Sequence, residues 1–130
     1  VRDERVFLDT TVVVDALRGV ESAQEAILRF RAQASVQLHG VVVAELHAGV
    51  RGKSEHRSIL HLVKRFEVVL PDADDFAMCL RLFPRHHASS GTGWPDCLIA
   101  ATAIRLGAAV ATGNLKHFRV FRGLRLYAVQ

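Results

Sequence analysis

Apolar positions fall along the chain in two rhythms. Short apolar runs recur at 5–8 (RVFL), 36–39 (VQLH), 67–70 (EVVL), 108–112 (AAVAT) and 124–129 (LRLYAV), and these read as strands. Between them apolar residues return every three or four positions, the period of a helix with one buried face. After a turn at Asp9-Thr10-Thr11, Val12–Leu17 reads as a helix closed by Gly19. A second helix is predicted over 22–34, opened by a capping box of Ser22 and Glu25 and turning Ala23, Ala26, Ile27 and Phe30 to one side. A third, over 41–51, aligns Val42, Leu46 and Val50. Ser54 caps a fourth that runs to Phe66, with Ile59, Leu62, Val63 and Phe66 inward. Asp72 starts a fifth whose apolar face is Phe76, Cys79, Leu80 and Phe83; Pro84 ends or kinks it, and 86–94 (HHASSGTGW) reads as a loop. The last long helix runs from Pro95 to Gly107 and is apolar nearly all round, as a helix buried in a core would be. A turn over 114–118 precedes the final strand.

Strands separated by helices make βαβ units, so the pattern predicts an α/β fold with a mostly parallel central sheet covered on both faces. The 130 residues suit a single domain, 1–130, and half of them are hydrophobic, enough for a core. No apolar run approaches the ~18 residues that span a bilayer, and VRDERVFLD does not resemble a secretory signal. A cytoplasmic protein is therefore expected. Cys79 and Cys97 read as small buried hydrophobes rather than a disulfide framework.

Three acids interrupt this apolar pattern. Asp9 directly follows the strand VFL. Glu45 lies mid-helix, one turn from Val41, Val42, Ala48 and Gly49. Asp96 heads the apolar helix, on the face of Ile99, Ala100 and Ala103. Each has a local explanation: Asp9 as a helix cap, Asp96 as a partner of the helix dipole, Glu45 as half of an ion pair. A common cause is a cation. Carboxylates a few ångströms apart repel by about 4 kcal/mol per pair at an effective dielectric of 20, and a divalent ion reverses that balance. Oxygen donors suit Mg²⁺ or Mn²⁺; the cysteine and histidine spacings fit no zinc motif.

Charge gives the acids a substrate class. Lysine and arginine number 17 against 13 acids, a net charge of +4. With the three acids assigned to a metal, the remainder is 17 against 10, a surface of +7. No acid follows Asp96, while Arg105, Lys116, Arg119, Arg122 and Arg125 do; Arg51, Lys53, Arg57, Lys64 and Arg65 form a second basic group. Basic side chains attract phosphates, and an acid cluster with Mg²⁺ inside a basic protein points to phosphodiester chemistry. A nucleotide-binding α/β domain is disfavoured: GTG at 91–93 is too short for either glycine-rich phosphate motif.

FLDTTVVVDALRG, VVVAELHAGVRG and WPDCLIAATAIRLGAAVATGNLKHF, in this order and spacing, resemble the PIN-domain nucleases, and among them the VapC-like toxins of bacterial toxin–antitoxin pairs. The likeness runs from Val6 to Tyr127. It implies a three-layer α/β/α sandwich and an endoribonuclease using Mg²⁺ or Mn²⁺, held by Asp9, Glu45 and Asp96, that cuts structured RNA to leave a 3′-hydroxyl and a 5′-phosphate. Asn114 stands where many family members carry a fourth acid; with Thr10 and Thr112 it is expected to place a ligand or water. Arg18, Arg51, Lys116 and His117 are the candidate phosphate contacts, and Asp15 is expected to be solvated or salt-bridged. His86 and His87 are not expected to bind metal. Trp94 is expected in the core or at a dimer contact, with nucleobase stacking as its other use. The resemblance also implies a homodimer and a cognate antitoxin that lays a C-terminal segment along a groove, with a basic side chain reaching the acids. A PIN-like binding module without catalysis is the alternative, and Asn114 is the residue that favours it.

Overall fold

Val6, Phe7 and Leu8 are sealed from water, as a strand in the middle of a doubly covered sheet must be. They form β1 (Arg5–Leu8) in a computed structural model that describes residues 4–129; residues 1–3 and 130 of the expected domain lie outside the described residues. The other strands are β2 (Ser35–His39), β3 (Glu67–Val69), β4 (Ala109–Thr112) and β5 (Arg125–Ala128). They pair in the order β3-β2-β1-β4-β5, every neighbour parallel. The helices are α1 (Thr10–Leu17), α2 (Glu21–Gln33), α3 (Gly40–Ala48), α4 (Gly52–Val63), α5 (Ala73–Ser90), α6 (Trp94–Leu106) and the single turn α7 (Leu115–Phe118). The result is a three-layer α/β/α sandwich with a wholly parallel sheet. From β1 the chain steps outward through β2 to β3, then crosses back to β4 on the other side of β1. That reversal opens a crevice at the carboxyl ends of β1 and β4, the usual place for a ligand in such sheets.

α6 is the core helix its composition predicts. Cys97 to Ala103 are buried without a break, and the helix closes on Gly107 in the left-handed conformation, φ +68°. The small side chains of α6 and of β4 (Ala109, Ala111) share one buried core with Leu98 and Ile99.

Several boundaries differ from expectation. α2 begins at Glu21 with Val20 at the cap position and no side-chain cap bond, so Ser22 falls inside the first turn and the Ser22–Glu25 box does not form. α4 begins at Gly52 and ends at Val63; its entry is tied by Glu55, whose carboxylate accepts the Arg51 backbone N–H, rather than by Ser54. α5 runs through Pro84 to Ser90, so 86–90 is helix and the loop shrinks to 91–93. Proline removes the hydrogen bond to the Leu80 carbonyl, but Pro84 and Leu80 both lie on the exposed side, where water can replace it. The apolar face of α5 is also rotated. Phe76 and Leu80 are 48% and 75% exposed, because the inward positions go to Cys79 and to the buried carboxylate of Asp75.

Candidate active site

Parallel pairing sets Leu8 beside Ala111. One residue on, the Asp9 N–H donates to the Ala111 carbonyl at 2.9 Å, which places Asp9 next to Thr112 at the crevice. Thr112 Oγ1 donates to Asp9 Oδ2 at 2.8 Å, and Thr11 Oγ1 donates to the same oxygen at 2.9 Å. Asp9 occupies the cap position of α1, yet its side chain makes no cap bond. The carboxylate, in a residue only 4% exposed, is held for something other than helix capping.

α3 supplies Glu45, which accepts a 2.7 Å hydrogen bond from Thr10 Oγ1. Among the described residues it has no lysine or arginine partner, so a hydroxyl, not an ion pair, positions it. It is half-buried rather than sunk in an apolar face, because it opens onto a 460 Å³ groove between α1, α3 and α4. α6 supplies Asp96 from its first turn. His117 Nδ1, on α7, stands 3.1 Å from Asp96 Oδ2 and donates to it when protonated. Burial raises the Asp96 pKa to about 6, with Asp9 adding to the rise, the His117 contact opposing it and Glu45 contributing further. The three acids therefore share one electrostatic environment, although they are 36 and 51 residues apart in the chain.

A metal fits this donor set in a specific sense. Asp9 and Asp96 each commit Oδ2 to the protein and Glu45 commits Oε1, leaving three carboxylate oxygens without a hydrogen-bonded partner among the described residues. Hard oxygen donors with uncompensated charge are what Mg²⁺ or Mn²⁺ takes. As the side chains stand, no three acid, histidine or cysteine groups among the described residues are closed around one point. The threonines and His117 orient the carboxylates in advance; they do not complete a coordination shell.

Residues 6–123 match the PIN domain. The chain belongs to the PIN-domain family. Ribonuclease VapC10 of Mycobacterium tuberculosis is 32% identical over 126 residues, covering 92% of this chain and 90% of the relative. Ribonuclease VapC19 of the same species is 33% identical over 121 residues, covering 92% and 96%. Among solved structures, VapBC2 from Rickettsia felis bound to a DNA fragment from its promoter matches 95% of this chain and 98% of that one, with a TM-score of 0.80 at 24% identity. At that identity the match shows a shared fold.

The other expected residues of this PIN domain are distributed unevenly. Thr10 and Thr112 both touch the acids directly. Asn114 gives Thr112 Oγ1 its backbone N–H at 2.9 Å and sets its side-chain amide 3.0 Å from His117 Nδ1, the nitrogen that also faces Asp96; a ring N–H given to Asp96 leaves that nitrogen no lone pair for the amide, so Asn114 and Asp96 are alternative partners of His117. Arg18 lines the same groove as Glu45. Lys116 is exposed beside His117 on α7. Arg51 is exposed at the entry to α4 and does not line that groove. Asp15 is half-buried and has no salt bridge among the described residues. Trp94 is 52% exposed, which removes it from the core. His86 packs edge-on against Phe121, and His87 Nδ1 meets the Thr92 carbonyl at 3.1 Å.

Two features escape a reading by residue type. Thr11, not Thr10, is the α1 hydroxyl on Asp9, and its Oγ1 also accepts the Gly113 N–H at 3.1 Å. The doubled threonine after Asp9 was the available signal. Away from the crevice, a buried polar chain joins three helices. Val41 N–H donates to His39 Nδ1 at 3.0 Å, so His39 Nε2 carries the proton and donates to Thr102 Oγ1 at 2.9 Å. Thr102 donates to Asp75 Oδ2 at 2.9 Å, and Arg105 grips Asp75 through Nε at 2.7 Å and Nη2 at 2.9 Å. Burial opposes ionisation of Asp75, but Arg105, the Asp72 backbone and Thr102 outweigh it and hold its pKa below the usual 3.8. The box of Asp72 and Asp75 at the start of α5 is visible in sequence; the distant Arg105 and His39 are not.

Proposed function

We propose that this PIN domain is a Mg²⁺- or Mn²⁺-dependent endoribonuclease, the toxin of a toxin–antitoxin pair, and that it hydrolyses phosphodiester bonds of structured cytoplasmic RNA. One observation carries the reading: three acids from separate segments, each with a free oxygen and none paired to lysine or arginine among the described residues, share the crevice of a basic protein. The two relatives named as ribonucleases support the substrate class. Asp9, Glu45 and Asp96 would hold the ion. When bound, it supplies Lewis acidity, making water a nucleophile near neutral pH and offsetting charge on the phosphate.

The chain's own residues supply the preorganisation. Thr11 and Thr112 fix Asp9 by one oxygen, Thr10 fixes Glu45, and protonated His117 Nδ1 fixes Asp96. Each carboxylate then presents its second oxygen without searching rotamers. Arg18 and Lys116 flank the site and can hold phosphates on either side of the bond to be cut.

The antitoxin is assigned to the 460 Å³ groove, lined by Val14, Leu17, Leu46, Val50 and Ile59, with Arg18 and Glu45 among its polar groups. An apolar segment fits that lining, and a basic side chain on it could pair with Glu45. The solved neighbours from Rickettsia felis and Haemophilus influenzae, at 24% and 20% identity, are described as VapBC structures. A homodimer is proposed on the resemblance to VapC toxins. No helix among the described residues is long and apolar enough to cross a membrane.

The test is cleavage of bulk RNA titrated with Mn²⁺, with EDTA as control. Cleavage should require the metal, and Glu45→Gln or Asp96→Asn should abolish it while RNA binding persists. Full activity in either variant, or undiminished cleavage in EDTA, would remove the assignment; binding without any cleavage would favour the binding module.

A further inference from the structure

The groups described so far leave a second basic feature unused. From Phe76 to the C-terminus the sole acid is Asp96, against Arg81, Arg85, Arg105, Lys116, Arg119, Arg122 and Arg125. Arg105 is spent on Asp75 and Arg125 on Glu4. The other five form no salt bridge among the described residues and all are exposed. Three of them, Arg81, Arg85 and Arg122, surround a 250 Å³ pocket whose floor includes Leu82, Ile104 and Phe121. Arg81 and Arg85 are one helical turn apart on α5, where like charges repel. Among the described residues no acid lines the pocket or pairs with these arginines, so the cluster has charge to offer an external anion.

The pocket is connected to the acid crevice. His86 lines it. The His86 carbonyl accepts Ser90 Oγ at 2.7 Å, Ser90 Oγ meets Thr92 Oγ1 at 2.9 Å, and Thr92 Oγ1 donates to the carbonyl of His117, the residue on Asp96. The chain from His117 to Arg122 spans at most ~18 Å, with Lys116 and Arg119 exposed along it. The pocket therefore lies at most ~18 Å along the chain from the residue on Asp96, a distance that a few nucleotides cover, and the segment from Lys116 onward carries two further exposed cations.

The geometry points to the Arg81–Arg85–Arg122 pocket as a phosphate-binding exosite that holds the backbone of the RNA strand flanking the cleavage site. It rests on the ribonuclease reading for its ligand but not for its measurement, which is binding. Guanidinium groups take phosphate oxygens in pairs, and the apolar floor gives a base or ribose a dry surface. Such contacts act equally on bound substrate and transition state, so they lower KM and leave kcat alone.

The experiment compares Arg81→Ala/Arg85→Ala/Arg122→Ala with the same three positions changed to lysine, both in an Asp96→Asn background for binding and in the native background for cleavage. The probe is a fluorescent single-stranded RNA long enough to reach the pocket from the crevice; a short oligonucleotide confined to the crevice is the control. The alanine variant should bind the long RNA about tenfold more weakly at physiological salt, and the slope of log K against log salt should fall by about 2. Binding of the short oligonucleotide should not change, and lysine, which keeps the charge but not the paired contact, should restore the salt slope and only part of the affinity. In cleavage, KM for the long RNA should rise at constant kcat. These arginines make no internal hydrogen bond among the described residues, so circular dichroism and thermal midpoint should match the parent protein. Equal affinity and equal salt slope for the long RNA would overturn the exosite, as would equal losses on long and short RNA. A loss confined to an acidic protein partner would overturn it too. Long-RNA binding that depends on the arginines, in a protein that cleaves nothing, would uphold the exosite while the nuclease reading failed.

Discussion

Thr102 is the joint on which the buried polar chain turns, and replacing it with valine tests whether that chain stabilises the fold. Valine keeps the shape and creates no cavity, so the change isolates the hydroxyl. His39 is wholly buried, and its Nε2–H loses its acceptor, a cost of roughly 1–3 kcal/mol. Asp75 loses one hydrogen bond to a charged group, worth roughly 1.5–3 kcal/mol when nothing replaces it. Asp75 keeps its bonds from Arg105 and from the Asp72 backbone. Arg105 is one-third exposed, so solvent screens that end of the chain. The second term therefore belongs at its lower limit, and the total is about 2.5–4.5 kcal/mol, a large share of the ~5–15 kcal/mol that holds a domain together. Thr102→Ser keeps the hydroxyl and loses one methyl, about 1 kcal/mol. Urea unfolding of the three proteins at pH 7, followed by circular dichroism with the slope m checked for constancy, separates the outcomes. If valine destabilises no more than serine, the chain contributes nothing and the reasoning fails.

The same residues set an acid limit. Burial lowers the His39 pKa from 6.5 to about 4, against a weaker opposing pull from Asp75. The folded protein thus keeps His39 neutral while the unfolded chain takes up a proton between about pH 6.5 and 4. Its contribution is complete above pH 6.5 and declines as pH falls to about 4, a loss on the order of 3 kcal/mol. Urea midpoints at pH 7 and 5 should differ by more in the native protein than in His39→Gln; equal differences would contradict the assignment. At the crevice, Thr112→Val removes one of the two hydroxyls on Asp9 and should reduce metal-dependent cleavage by about 10- to 100-fold. Thr112 Oγ1 also accepts the Asn114 N–H, so the unfolding midpoint should fall as well; cleavage is therefore compared at a temperature where both proteins are fully folded, and unchanged cleavage there would show that the hydroxyl does not position Asp9.

Much of this protein was legible in its sequence because the determining forces are local. Strand and helix periods, the apolar wrap of 95–107, and Gly107 as its stop all follow from side-chain burial and backbone freedom within a few residues. The acids of interest stood out because Asp9, Glu45 and Asp96 interrupt apolar surroundings. What only the tertiary structure decided is partnership between distant segments. Whether Thr10 or Thr11 serves Asp9 depends on how β1 meets β4 and α1 meets α3. The rotation of α5 that exposes Phe76 and Leu80 follows from Asp75 finding Arg105 and Thr102 on another helix, and those exchanges outweigh the apolar periodicity of α5 alone. Arg81 and Arg122 likewise share a pocket only because α5 and the segment after α7 cross the same end of α6. Free energies of this kind belong to contacts made across dozens of residues, and a local pattern holds no record of them.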